Sequence, residues 1–149
     1  MSEKFVSILL ATDDMAALND LTARLHAENF RVIPIGNRES IVTLARSERP
    51  DLILIDLDAC FDICRLLKRS FVTEAIPVIA LLSPAEEADR IAVLELGADD
   101  CMAKPFHFRE LTLRIKRSLE RARDKNGRTR YQQAKHYTAL TRSSRKAGS

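Results

Sequence analysis

Three acids and one lysine in this chain are spaced so that they could do chemistry together. Asp13 and Asp14 follow the apolar run Phe5–Ala11, Asp56 closes the run Leu52–Ile55, and Lys104-Pro105 follows Asp99–Ala103. Two carboxylates about 5 Å apart repel by roughly 3 kcal/mol at an effective dielectric of about 20. Three together need a cation, or one of them must stay protonated with a raised pKa. Hard oxygen ligands in a cluster suit Mg²⁺, which keeps waters and accepts a phosphate oxygen as a further ligand. Lys104 would add a point charge for an anion. Asp56 could be a nucleophile that takes a phosphoryl group, as in aspartyl-phosphate chemistry. The plain alternative is that strand-end acids cap the helices that follow them. Capping accounts for any one of these residues, but not for three acids and a lysine on one edge.

That they share an edge follows from the elements around them. Strand-like apolar runs lie at Phe5–Ala11, Phe30–Ile35, Asp51–Asp56, Ile76–Leu82 and Asp99–Ala103. Helical spacing follows each run. Met15, Leu18, Leu21 and Leu25 mark the first helix; Ile41, Leu44 and Ala45 mark the second, with Asn37 as N-cap and Pro50 as stop. The spacing predicts a third helix over Cys60–Arg69 and a fourth over Glu86–Leu96, opened at Pro84 and stopped by Gly97. Phe108, Leu111, Ile115 and Leu119 mark the last, which is expected to run towards Arg123 and to end at Gly127. Five such β–α units with strands apolar throughout imply an α/β protein whose parallel sheet is covered on both faces. Ligands of such sheets bind at the carboxyl ends of the strands, where the strand order reverses. Strands one, three and five end there in Asp13-Asp14, Asp56 and Lys104.

Composition narrows the function classes. Hydrophobic residues at 46% and charged ones at 30% are a globular balance, against disorder or a fibrous repeat. The longest apolar stretches, Leu52–Ile55 and Ala75–Leu82, are far too short to span a bilayer, so no membrane partner is expected. The acids after the first run and the missing small-residue cleavage site speak against a secretory signal. An odd set of three cysteines (Cys60, Cys64, Cys101) is not a disulfide framework, and a cytoplasmic location is expected. Cys60 and Cys64 read as buried thiols, and His26, His107 and His136 as scattered surface residues, the first two on helices. No Ser-His or Cys-His constellation of a hydrolase can be assembled. Charge is divided unevenly: residues 1–120 hold 15 Lys/Arg against 20 Asp/Glu, while residues 121–149 hold 9 against Asp124 alone. The basic tail reads first as a solvated linker, and it could also meet nucleic acid.

Taken together, three motifs bring a family into view. Asp13-Asp14, Pro50-Asp51-Leu52-Ile53-Leu54-Ile55-Asp56, and Gly97-Ala98-Asp99-Asp100 followed by Lys104-Pro105-Phe106 resemble the receiver domain of two-component response regulators, over about residues 5–121. The resemblance implies a flavodoxin-like (βα)5 three-layer sandwich with a five-stranded parallel sheet of order 2-1-3-4-5. It implies a receiver at residues 1–122, with 123–149 as a basic tail or linker, partly helical or disordered. By the same likeness the chain is a signalling domain and not an enzyme beyond its own phosphorylation and dephosphorylation. Asp56 would accept a phosphoryl group from a histidine kinase or phosphotransfer protein. Asp13, Asp14, Asp56 and the backbone carbonyl of Asp58 would hold Mg²⁺, Lys104 would pair with the phosphoryl group, and the Lys104–Pro105 bond would be cis. The face of helix 4, strand 5 and helix 5 would serve a homodimer or an output partner.

The departures from that pattern are equally specific. Leu82 stands where such domains carry a Thr or Ser that binds the phosphoryl group, and Ser83 falls one place later, where it could still offer a backbone N–H or its hydroxyl. Cys101 stands where the family has the Tyr or Phe that swings inward, and the loop after Asp56 lacks the usual Pro and Gly and is short. The metal-and-acceptor half is intact and the switch half is altered. The second reading is therefore a pseudo-receiver, a phosphorylation-independent interaction module, with nucleic-acid contact through the tail compatible with either.

Overall fold

Strands with apolar side chains on both faces must be covered from both sides, and the chain does this with five helices. The computed structural model describes residues 5–56 and 60–131. Strands β1 (Val6–Thr12), β2 (Phe30–Ile35), β3 (Leu52–Asp56), β4 (Val78–Leu82) and β5 (Asp100–Ala103) form one parallel sheet of order β2-β1-β3-β4-β5. Helices α1 (Met15–Ala27), α2 (Ile41–Glu48), α3 (Phe61–Arg69), α4 (Arg90–Glu95) and α5 (Phe108–Tyr131) return the chain. On one face, Ile8, Leu10, Leu54, Ile79, Leu81 and Met102 meet Leu21 and Leu25 of α1 and Leu111 and Ile115 of α5. On the other, Leu9, Ile53, Ile55, Ala80 and Leu82 meet Ile41 of α2, Cys64 and Leu67 of α3 and Val93 of α4. Each fully buried Leu or Ile contributes about 1.5–3 kcal/mol relative to exposure. Thus alternate residues of each strand feed opposite cores, and the expected three-layer order is the observed one.

Three elements differ from the periodicity. The fourth helix is not continuous: Pro84–Asp89 is a 3₁₀ stretch, and only Arg90–Glu95 is α-helical. No residue of Pro84–Asp89 is buried, so no core contact holds it to an α register, and the Glu86 N–H donates to the Ser83 carbonyl at 2.9 Å, a three-residue bond. Val93 is the buried residue of α4, while Ile91 and Leu94 of the apparent apolar stripe face outward. Asn37 caps a short 3₁₀ turn, Arg38–Ser40, that precedes α2. Finally, α5 runs through Gly127 to Tyr131, so a boundary at 122/123 falls inside a helix. One glycine in a helix costs only about 1 kcal/mol, which good helix formers such as Ala122, Arg123, Lys125 and Arg128 offset. The expectations for residues 132–149 lie outside the described residues.

The Gly97-Ala98-Asp99-Asp100 motif ties the sheet to the helices. The Asp99 Oδ2 accepts from the Val78 N–H at 2.7 Å and pairs with Lys68 Nζ at 3.0 Å. Lys68 also donates to the carbonyl of Ile76 at 2.7 Å, so α3, the start of β4 and the start of β5 share one knot. Asp100 Oδ1 accepts from Arg114 Nη1 at 2.7 Å, which fixes α5 against β5. Gly97 has φ of 124° and lies against the stem of Lys68, so a Cβ there would run into Lys68 Cβ and Cγ. That backbone region is open to glycine almost alone. Gly97→Ala is expected to lower stability by about 1–3 kcal/mol in urea unfolding, with loss of the Lys68 contacts. An unchanged midpoint would show that the turn relaxes freely.

Candidate functional site

The register of the central strands decides which acids meet. Thr12 of β1 is paired with Asp56 of β3, which sets both at the carboxyl edge beside the point where the strand order reverses. Asp56 is 6% exposed. Its Oδ1 accepts from Lys104 Nζ at 2.5 Å and its Oδ2 accepts from Thr12 Oγ1 at 3.2 Å. Thr12 Oγ1 in turn accepts from the Asp14 N–H at 3.1 Å, so one hydroxyl links the β1–α1 turn to the buried carboxylate. Lys104 reaches Asp56 because its own N–H donates to the Leu82 carbonyl at 2.7 Å just past β5, and the Lys104–Pro105 bond is cis.

The remaining acids sit at the mouth. Asp13 and Asp14 are exposed. Asp14 does cap α1: its Oδ1 accepts from the N–H groups of Ala16 at 2.9 Å and Ala17 at 3.2 Å. Among the described residues, no three His, Cys, Asp or Glu side chains stand together closely enough to form a ready-made metal cage. The expectation for the Asp58 carbonyl lies outside the described residues.

The end of β4 carries Leu82, followed by Ser83. Leu82 is buried in the core against the α2–α3–α4 layer. Ser83 directs both its N–H and its Oγ to Glu86 Oε1, each at 3.3 Å. Cys101 is fully buried, and burial raises its thiol pKa against the opposing pull of Arg90. Arg90 Nη1 donates to the Cys101 carbonyl at 3.1 Å and to its Sγ at 3.6 Å. Cys60 and Cys64 are buried free thiols at the start of α3; the hydrogen bond between them lowers the Cys60 pKa and raises that of Cys64. His26 is exposed on α1. His107 is also exposed but precedes α5 by one residue, with its carbonyl accepting from the N–H of Glu110 at 3.0 Å.

Sequence reasoning missed three residues here. Thr12 follows the apolar run Phe5–Ala11 and ends β1, and its hydroxyl beside an acid pair is a signal the sequence carries. Ser83-Pro84-Ala85-Glu86 is a readable capping-box spacing. Arg90 carried no signal, because its contact with Cys101 is made across the fold.

A five-stranded doubly wound domain is the architecture on which the comparisons converge. The sequence matches the response regulator receiver domain family over residues 8–116, and the chain belongs to that family. It is 35% identical over 121 residues to the DNA-binding response regulator MtrA of Mycolicibacterium smegmatis, covering 78% of this chain and 52% of that protein. The alkaline phosphatase synthesis transcriptional regulatory protein SphR of Synechococcus elongatus is 34% identical over 137 residues, covering 83% of this chain and 52% of that protein. The chain thus spans about half the length of these relatives. Among solved structures, the receiver domain of sensor histidine kinase PA1611 from Pseudomonas aeruginosa, with a magnesium ion coordinated in its active site cleft, is 28% identical with a TM-score of 0.71, covering 78% of this chain and 99% of that one. The protein is therefore a receiver domain of the two-component response regulator family, a signalling fold, and no described helix is long and apolar enough to cross a membrane.

Thr12→Val keeps the β-branched shape and removes the hydroxyl that holds Asp56. A hydrogen bond to a charged group is worth about 1.5–3 kcal/mol, so stability in urea unfolding should fall by that order, while Thr12→Ser should retain most of it. Equal stability of the Val variant and the wild type would show that Asp56 is held by Lys104 alone.

Proposed function

We propose that this receiver takes a phosphoryl group on Asp56 from a histidine kinase or phosphotransfer protein, with Mg²⁺ bound beside it. The observation that carries the reading is a carboxylate 6% exposed at the carboxyl edge of the sheet, held on one oxygen by Lys104 and on the other by Thr12. Burying a carboxylate costs several kcal/mol unless it is paired and hydrogen-bonded. Both conditions are met, so the carboxylate is held and oriented. An Asp56 oxygen attacks phosphorus, the bond from phosphorus to the donor breaks, and the electron pair leaves with the donor. For a phosphohistidine donor the departing imidazole takes that pair and picks up a proton. Lys104 can follow the charge, exchanging its carboxylate partner for a phosphoryl oxygen.

The donor chemistry suits a divalent ion. Asp13, Asp14 and Asp56 carry three negative charges against the one positive charge of Lys104, which leaves two to be balanced. Magnesium keeps several waters and needs only one or two carboxylates, so the cap role of Asp14 Oδ1 does not exclude it as a ligand. When bound, the ion would neutralise charge between phosphoryl oxygens and the acids. The PA1611 receiver with its coordinated magnesium supports the assignment by likeness. The Asp58 carbonyl remains a proposed fourth ligand.

We take the output to be a partner or an attached module, with a homodimer through the α4–β5–α5 face as one form. Ile91 is 69% exposed on that face, beside the Arg90–Glu87 and Arg114–Asp100 pairs. MtrA is described as DNA-binding, and contact of this chain's basic tail with nucleic acid is read from charge. A cytoplasmic site of action follows from a kinase partner. Leu82 and Cys101 favour the second reading, a pseudo-receiver that binds partners without being phosphorylated.

Incubation of the full chain with a small acyl phosphate and Mg²⁺, read by intact mass, separates the two readings. One phosphoryl group should be added, chelation of Mg²⁺ should reduce the adduct at least about tenfold, and Asp56→Asn should abolish it. No adduct on the wild type establishes the pseudo-receiver reading.

A further inference from the structure

At the end of β4 the hydroxyl next to Leu82 in sequence is that of Ser83, and in this structure it is engaged elsewhere. Leu82 is buried and offers nothing to a phosphoryl oxygen. The next residue, Ser83, has two donors, its backbone N–H and its Oγ–H. Both go to the same atom, Glu86 Oε1, at 3.3 Å. Ser83 begins beside Lys104, whose N–H is bonded to the Leu82 carbonyl at 2.7 Å and whose ammonium holds Asp56.

We infer that Glu86 is a positioning residue, a latch that holds both donors of Ser83 away from the phosphoryl site and must release them before Ser83 can stabilise transfer to Asp56. The inference rests on the phosphoacceptor reading above. Contacts of 3.3 Å are at the long end for hydrogen bonds, which suits a contact that has to open. Glu86 also sits in the 3₁₀ stretch Pro84–Asp89, none of whose residues is buried, so its release disturbs no core packing. In the closed form the carboxylate satisfies Ser83; in the open form a phosphoryl oxygen takes its place, one anion exchanging for another.

Two conservative substitutions in the full chain separate the latch from a general charge effect. Glu86→Asp keeps the charge and shortens the reach, whereas Glu86→Gln keeps the reach and an acceptor oxygen but removes the charge. A latch predicts that Glu86→Asp speeds phosphorylation by a small acyl phosphate at least about fivefold, that Glu86→Gln gains less, and that adding Ser83→Ala to Glu86→Asp removes the gain. Repulsion of the anionic donor by Glu86 predicts the reverse order and no dependence on Ser83, and that result overturns the proposal. Amide hydrogen exchange at Ser83, measured without any phosphodonor, should be at least about fivefold faster in Glu86→Asp than in the wild type. Unchanged exchange overturns the latch on its own. If the wild type takes no phosphoryl group, the phosphoacceptor reading fails, and the exchange rate still decides whether Glu86 holds Ser83.

Discussion

The site depends on one half-buried ion pair, the enclosed Asp56 with the partly exposed Lys104, at the carboxyl edge of the sheet. Asp56 ends a strand whose residues are buried throughout, and it would be costly there if it stood alone. Its two oxygens are therefore assigned, one to a lysine delivered from beyond β5 and one to a threonine from β1. Four strands, β1, β3, β4 and β5, must be in register for that to happen. The knots around Asp99–Lys68 and Asp100–Arg114 hold β4, β5, α3 and α5 where the lysine needs them.

The constraint acts on one part of the edge and not on the other. Asp56 and Lys104 are coupled to each other, so replacing Lys104 would leave Asp56 a buried charge without its ammonium partner. The β4 end has no such coupling. Leu82 simply joins the core, Ser83 turns to Glu86, and Cys101 fills its place with Arg90 across its carbonyl and sulfur. Cys101 is thus a small buried thiol packed against Arg90, which Glu87 holds at 3.1 Å.

Much of this was legible in the sequence, for physical reasons. Strands buried on both faces announce themselves as unbroken apolar runs, and a parallel sheet then forces Asp13, Asp14, Asp56 and Lys104 to one edge. The cis Lys104–Pro105 bond followed from family likeness, not from spacing. Other features were hidden because they depend on partners distant in sequence. The helix at 84–96 broke into two, since the stripe Ile91–Leu94 is exposed and only Val93 anchors it. Gly127 did not end α5, since a single glycine is a weak stop when its neighbours favour helix. Thr12 became part of the site only because β1 extends one residue further than its apolar run.

The central claim is that Asp56 is the nucleophile, and chemical trapping tests it most directly. Borohydride reduction of an aspartyl phosphate converts that aspartate to homoserine, which peptide mass mapping locates to a single residue. After treatment with a phosphodonor and Mg²⁺, homoserine should appear at position 56 and at none of positions 13, 14 or 58. Homoserine at one of those other acids, or at none, would contradict the account.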